Sequence, residues 1–487
     1  AYEMTSSLVG SQTCIRDRDN VLGILTKIME AFGPSVVVPF VLFFIALALK
    51  VPVKKAFNSA LSAGIGLAGF NMIITAFTPI VTPVVTRMVE DTGINLRILD
   101  VGWQAASVVA YSTEVGMLFL IIGLAIQTVL FLTKFTNIFM PSDLWNNWQF
   151  MLWGSMVYLT TGNLWLAMGL MILQNLYVLV FCESIAKRWS KFYGYPRTVI
   201  VAPLMSCTVP YAIVMDKVLN LFKLDKVKLN PEYLESKLGF LGEPASLGFI
   251  LGVILGFFGN LTRLGELNAW GEMLILGISM AAVMSIFPKI AGIFAGAFSA
   301  ITDASRKATK SGNKERVWYL GVNDAVGYGE PSTLLTGMLL IPIMLVIAIF
   351  LPGNQVLPMV DLIAIPYVIQ MIMSVSKGNI AKGLISGAIY FSIGLLTITA
   401  VAPIFTEVAV ETGVSIPAGA MLICSFANMS NPIFALLFFA FNSQSPLLIG
   451  ISVAVYLGLL FITKTKKNQL EDYLEQANVE AEADTAV

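Results

Sequence analysis

The segment Gly321–Pro331, GVNDAVGYGEP, sets Asn323, Asp324 and Glu330 between a basic stretch and an apolar run that begins at Leu334. Ionisable groups at such a place are costly unless paired or facing a wet cavity, so they point to binding of a polar solute or ion, or to proton transfer. The same residues also suit a helix start, where acidic side chains favour the macrodipole and Gly and Pro open the span. Other polar breaks recur along the chain. DVGWQAAS carries Asp100, Gly102, Trp103 and Gln104; Ser142–Trp153 carries Asn146 and Gln149; GEPASLGF carries Glu243; and CSFANMSNP spans Cys424–Pro432. The chain has no histidine, and Cys14, Cys182, Cys207 and Cys424 are scattered without a Cys-x-x-Cys pair, so neither a metal site, a cofactor nor a histidine relay is expected.

What must position these residues is a membrane body. Hydrophobic residues make up 57% of the 487 residues and charged ones only 12%, which is far from a soluble domain. Long apolar runs broken by Gly, Pro and short charged loops predict an all-α polytopic membrane protein rather than a β-barrel. Thirty basic and thirty acidic residues balance, with no basic stripe for nucleic acid. Lysines at 50, 54 and 55, the basic group Lys187, Arg188 and Lys191, and lysines at 464, 466 and 467 follow spans. By the positive-inside rule they set the N-terminus outside and the C-terminus in the cytoplasm.

Spans are predicted near Phe32–Leu49, Phe57–Thr78, Val115–Leu132, Leu164–Phe181, Met273–Phe287, Leu334–Phe350, Leu362–Met373, Leu384–Val401 and Leu447–Ile462. About eleven crossings fit the chain once broken elements are included. Val101–Tyr111 is too short to cross and reads as a re-entrant or broken helix, and Thr198–Leu221 is kinked at Pro203 and Pro210. The tryptophans of Ser142–Trp153 fit either an interfacial belt or the wall of a polar pocket. Gly64, Gly66 and Gly69 lie within an apolar helix, where they favour close packing rather than nucleotide binding, and Gly248, Gly252 and Gly256 form a similar face. Paired polar breaks in both halves suggest an inverted repeat. The expected organisation is a tail at 1–20 without signal-peptide pattern, a first repeat at 21–225, a cytoplasmic loop at 226–242, a second repeat with the last helix at 243–463, and a solvated tail at 464–487.

Four stretches carry a resemblance: INLxxxDVGW at Ile94–Trp103, DLWNNW at Asp143–Trp148, GEPxxxGF at Gly242–Phe249 and PGNQVLPxxDL at Pro352–Leu362. With them the chain resembles the galactitol-type membrane component, IIC, of the bacterial sugar phosphotransferase system, over about Val21–Lys467. The resemblance implies a homodimer in the bacterial cytoplasmic membrane, with scaffold and core domains and elevator-like transport of a galactitol-like polyol. The polyol would be phosphorylated by a separate IIB protein, itself charged on cysteine by IIA. It implies site positions at Gly69, Asp100, Gly102, Trp103, Gln149, Asn323, Asp324 and Glu330. Asn323-Asp324 stands where the family has Gly-x-Asp-Pro, and Gln149 and Glu330 stand where it has histidine; a carboxylate whose pKa is raised by burial can serve as base. Asp324 or Glu330 is expected in that role ahead of Glu243 or Asp100, with Asn323, Gln149 and Gln104 as neutral partners for hydroxyls. An ion-coupled secondary transporter on the same scaffold is the alternative.

Overall fold

The computed structural model describes residues 34–483 apart from 49, 92–95, 144, 228, 310–315, 359, 415 and 417–419; the expected tail at 1–20 and Cys14 fall outside the described residues. The chain runs through a similar order of elements twice. First come α1 (Pro34–Ala48), the long α2 (Val53–Glu90), β1 (Ile98–Asp100), α3 (Trp103–Tyr111), α4 (Glu114–Leu132), β2 (Ile138–Phe139), α5 (Trp148–Thr161), α6 (Leu164–Phe192), β3 (Thr198–Ile200), α7 (Pro203–Ser206) and α8 (Val209–Leu221). A short helix, α9 (Pro231–Leu238), links to the second series. It comprises α10 (Pro244–Phe258), the long α11 (Leu267–Thr309), β4 (Tyr319–Val322), α12 (Pro331–Phe350), β5 (Val356–Leu357), α13 (Ile365–Val368), α14 (Gln370–Val375), α15 (Ile380–Glu411), β6 (Leu422–Cys424), α16 (Phe426–Met429) and α17 (Pro432–Asn442). Two helices close the chain, α18 (Pro446–Thr465) and α19 (Lys467–Ala483).

The strands exchange partners between the two series. β1 lies between β5 and β6, and β4 lies between β2 and β3, all in parallel pairing. An all-α reading of the sequence missed these strands, because each is only two to four residues long. Their physical reason is the one that makes re-entrant backbone rare. Peptide groups freed from helix inside an apolar body must find partners, and here they find one another.

Among the described residues, six helices are long and apolar enough to cross a membrane: α4, α6, the first part of α11, α12, α15 and α18. α2 and α11 pack along each other, with α1 against α2 and α10 against α11. Small residues allow this closeness. A Cβ on Gly252 would stand 2.7 Å from the Cα of Gly277, and Gly256 sits equally hard on Met273. The stripe at 248, 252 and 256 therefore packs within the protomer. Arg87 at the end of α2 reaches Glu272 on α11 and donates from Nε to the Gly259 carbonyl at 3.1 Å.

Several expectations are corrected. The second helix does not end near Thr78 but runs through Pro79 and Pro83 to Glu90. Leu362–Met373 is not a span: a 3-10 turn, α13 and α14 break it into short pieces. Trp148 and Trp153 are buried, so the Trp-rich segment is interior rather than an interfacial belt. From Lys467 the chain is helical as far as Ala483. The acidic face of this helix meets the basic end of α6, with Glu471 on Lys187 at 3.4 Å and Glu475 on Lys191 at 3.1 Å.

Candidate functional site

Two polar clusters form where the strand triplets end. In the first, β1 delivers Asp100 between β5 and β6. Its Oδ1 accepts from the Gly102 N–H at 3.1 Å and the Phe426 N–H at 3.0 Å, and its Oδ2 from the Asp361 N–H at 2.7 Å. Gly102 holds φ at 86°, a conformation that favours glycine, and so turns its N–H back onto the carboxylate. Asp361, just beyond β5, accepts from the Trp103 N–H at 3.0 Å, the Ser425 hydroxyl at 2.6 Å and the Ala427 N–H at 3.1 Å. Both aspartates are buried, and every carboxylate oxygen is engaged. They tie the segments around β1, β5 and β6 into one knot.

The second cluster uses matching parts differently. Asp143 follows β2 at the spacing with which Asp361 follows β5. Its Oδ2 accepts from Asn146 Nδ2 at 2.7 Å, but among the described residues its buried Oδ1 has no hydrogen-bond partner. Asn146 Oδ1 accepts from Gln149 Nε2 at 3.1 Å, and Gln149 Oε1 takes the Leu204 N–H at 3.0 Å, fixing the start of α7. β4 leads to Asn323, which caps the following 3-10 turn by accepting from the Ala325 N–H at 3.0 Å, and to the partly exposed Asp324. Gln370 at the start of α14 donates to the Asp324 carbonyl at 2.9 Å, while its own buried Oε1 lacks a partner among the described residues. Gly327 leaves the room this amide needs, since a Cβ there would run into Gln370 Oε1.

Asp143 and Asp324 lie close enough to interact. Burial raises the pKa of both; the Asn146 amide opposes the rise at each and Asn323 also opposes it at Asp143, while the charge of Asp324 raises Asp143 further. Carboxylates held in this way can accept a proton from a hydroxyl near neutral pH. The neighbouring amides supply neutral donors and acceptors that suit a polyhydroxylated ligand.

Of the other expected positions, Glu330 caps α12. Its carboxylate accepts from the Ser332 and Thr333 N–H groups at 3.1 and 2.8 Å and from both hydroxyls. The Trp103 ring is exposed and lies 6.2 Å from Trp148, beside Gln149, so it links the two clusters. Gly69 faces Ile290 of α11, a packing contact. Glu243 is exposed at the start of α10, and its side chain makes no hydrogen bond or ion pair among the described residues. The Gln104 side chain lies outside the described residues. Asp143, Asp361 and Gln370 escaped the sequence reading of the site. The repeated Asp-Leu just after a short apolar pair, Asp143-Leu144 and Asp361-Leu362, is the signal that could have found the two aspartates.

A family model described as the sugar-specific permease component of the PTS system matches residues 27–419. The chain belongs to this family. It is 26% identical over 432 residues to the galactitol-specific EIIC component of the Escherichia coli K12 PTS system, covering 88% of this chain and 94% of the relative. It is 31% identical over 386 residues to an Escherichia coli K12 protein provisionally named a permease IIC component, covering 79% of this chain and 86% of that protein. The permease is thus a multi-pass membrane protein of the phosphotransferase family, and the polar clusters lie where its two strand triplets end.

Proposed function

We propose that the permease binds a galactitol-like polyol at the Asp143–Asp324 cluster and passes it inward as a phosphorylated separate IIB protein, itself charged by IIA, donates its phosphoryl group. The observation that carries this reading is the pairing of two raised-pKa carboxylates with unpaired buried oxygens on Asp143 and Gln370. Two buried oxygens without partners among the described residues, beside a carboxylate that can take a proton, give a ligand's hydroxyls groups to bond. In the proposed step a polyol hydroxyl oxygen forms a bond to phosphorus as the donor's sulfur–phosphorus bond breaks. The thiolate leaves on the partner and the hydroxyl proton passes to Asp324. Asn323, Gln149 and Gln104 orient hydroxyls, and Trp103 covers the ligand. Glu330, committed to its helix cap, acts by positioning the segment. Asp100 and Gly102 hold the re-entrant frame.

The repeated element order and the strand exchange support an inverted repeat of about eleven crossings. In this reading α1, α2, α10 and α11 form a scaffold and the strand-bearing body an elevator-like core, in a homodimer of the bacterial cytoplasmic membrane with its N-terminus outside. The same carboxylate pair would also suit proton-coupled symport, and one experiment separates the two. Right-side-out vesicles are given radiolabelled galactitol with and without phosphorylated IIB. Accumulation only as the phosphate ester, and only with the partner, supports group translocation. Accumulation of unmodified polyol that collapses with the proton gradient overturns it in favour of symport.

A further inference from the structure

Two cations, Arg188 and Lys377, lie about one helical turn from the candidate polyol site. α14 begins with Gln370, which holds the Asp324 carbonyl, and one turn later the Ser374 carbonyl accepts from Arg188 Nε at 2.7 Å. Four residues of helix separate these two contacts by about 6 Å. Arg188 is only 4% exposed, yet its terminal guanidinium nitrogens make no hydrogen bond among the described residues. The turn after α14 carries Lys377, at φ 59°, followed by Gly378, which packs on Phe192 and Ser332. The Lys377 amine, half-buried, likewise makes no hydrogen bond or ion pair among the described residues.

Asp216 and Glu475 act on both cations through their charge, but among the described residues neither carboxylate forms an ion pair with Arg188 or Lys377. Lys382 is already paired with Asp216 at 2.9 Å, and the other Asp216 oxygen accepts from the Tyr473 hydroxyl at 2.6 Å and from Asn220 at 3.2 Å. Glu475 of α19 is shared with Lys191 through Oε2, and its buried Oε1 has no partner among the described residues. Burial, reinforced by the charge of Arg188, pushes the Lys377 pKa down, as expected for an amine lacking an anion of its own. Arg188, whose guanidinium lies 5.7 Å from the centre of the Phe192 ring and whose terminal nitrogens bond nothing among the described residues, and Lys377 together suit a tetrahedral dianion.

We propose that Arg188 and Lys377 bind the phosphate of a polyol phosphate monoester whose carbon chain lies at Asp324, and that Glu475 of the C-terminal helix closes this site as a competing carboxylate. This placement deepens the phosphoryl-transfer reading above and rests on it. α14 is then the ruler that sets the far end of the carbon chain and the phosphate apart, and α19 is a lid whose release opens the cations.

The test is binding by the full-length protein in nanodiscs of neutral lipid, with inorganic phosphate and galactitol 1-phosphate as probes. Glu475→Gln should tighten both probes about tenfold relative to the unmodified protein. Adding Lys377→Gln should weaken both by at least tenfold, whereas adding Asp324→Asn should weaken galactitol 1-phosphate and leave inorganic phosphate unchanged. Arg188→Lys, checked for an unchanged unfolding temperature, should weaken both less than Lys377→Gln does. The proposal is overturned if Lys377→Gln leaves both probes unaffected, or if phosphatidylglycerol in the nanodisc displaces them, which would make this a lipid headgroup site. Because inorganic phosphate is read without transport or donor, its loss in Lys377→Gln stands apart from the vesicle result. An absence of phosphate ester in vesicles would instead remove the reading beneath it.

Discussion

The β1 and β4 clusters are built to one plan, a central strand clasped by two strands of the other half with an aspartate beyond one flank, yet that aspartate fares differently in each. Around β1, Asp361 is met by two backbone N–H groups and a hydroxyl, and Asp100 by three backbone N–H groups. Around β4, the N–H at the start of α7 goes to Gln149 instead, and Asp143 Oδ1 is left without a partner among the described residues. Carboxylates that collect backbone donors brace a fold, because each bond to a charged acceptor contributes about 1.5–3 kcal/mol. A carboxylate denied those donors gives up stability and keeps its valence for a ligand. The same architecture thus yields one cluster whose carboxylates are fully bonded by the backbone and one that, in the proposed reading, is left for chemistry.

The contrast can be broken most forcefully at Asp324. Asp324→Asn should lower the rate of polyol phosphorylation by about 10²- to 10⁴-fold, the range for loss of a general base, while the unfolding temperature in detergent stays unchanged. Asp361→Asn should do the reverse. Putting an amide nitrogen among donors costs about 2–3 kcal/mol, read as a lower unfolding temperature and loss of the monodisperse peak on size exclusion. If Asp361→Asn folds normally and only transport fails, the two clusters have been assigned the wrong way round. Gly252→Leu should destabilise by about 1–3 kcal/mol by forcing α10 off α11, with polyol affinity retained in the folded fraction. Glu330→Gln, which keeps a capping oxygen, should cost no more than about 1 kcal/mol and less than tenfold in phosphorylation rate. A loss as large as that of Asp324→Asn would move the base to Glu330.

Much of this plan is legible in the sequence, and the limits have physical causes. Val101–Tyr111 is visibly too short to cross, and the structure makes it a two-residue link after β1 and a short helix. The polar breaks near Asn146, Asn323 and Ser425 mark the re-entrant tips, because such residues are expensive in hydrocarbon wherever they fall. Strand exchange was invisible, since pairs such as Ile98 with Val356 join residues far apart in the chain through backbone groups that every residue shares. The roles of Asp100 and Glu330 were hidden for a related reason. A carboxylate that braces backbone N–H groups and one that awaits a ligand are the same letter, and only their partners separate them. The C-terminal helix misled by its polarity, which is matched by basic residues on α6 and by Asp216 on α8.

The most direct measurement is galactitol binding by calorimetry to four full-length proteins in nanodiscs: unmodified, Asp143→Asn, Asp324→Asn, and Asp361→Asn taken from its folded fraction. Binding weakened at least tenfold in the first two variants and retained in the third is the expected result. Retained binding in Asp143→Asn and Asp324→Asn, with loss in Asp361→Asn, would place the polyol at the β1 cluster and contradict the assignment of the β4 cluster as the substrate site.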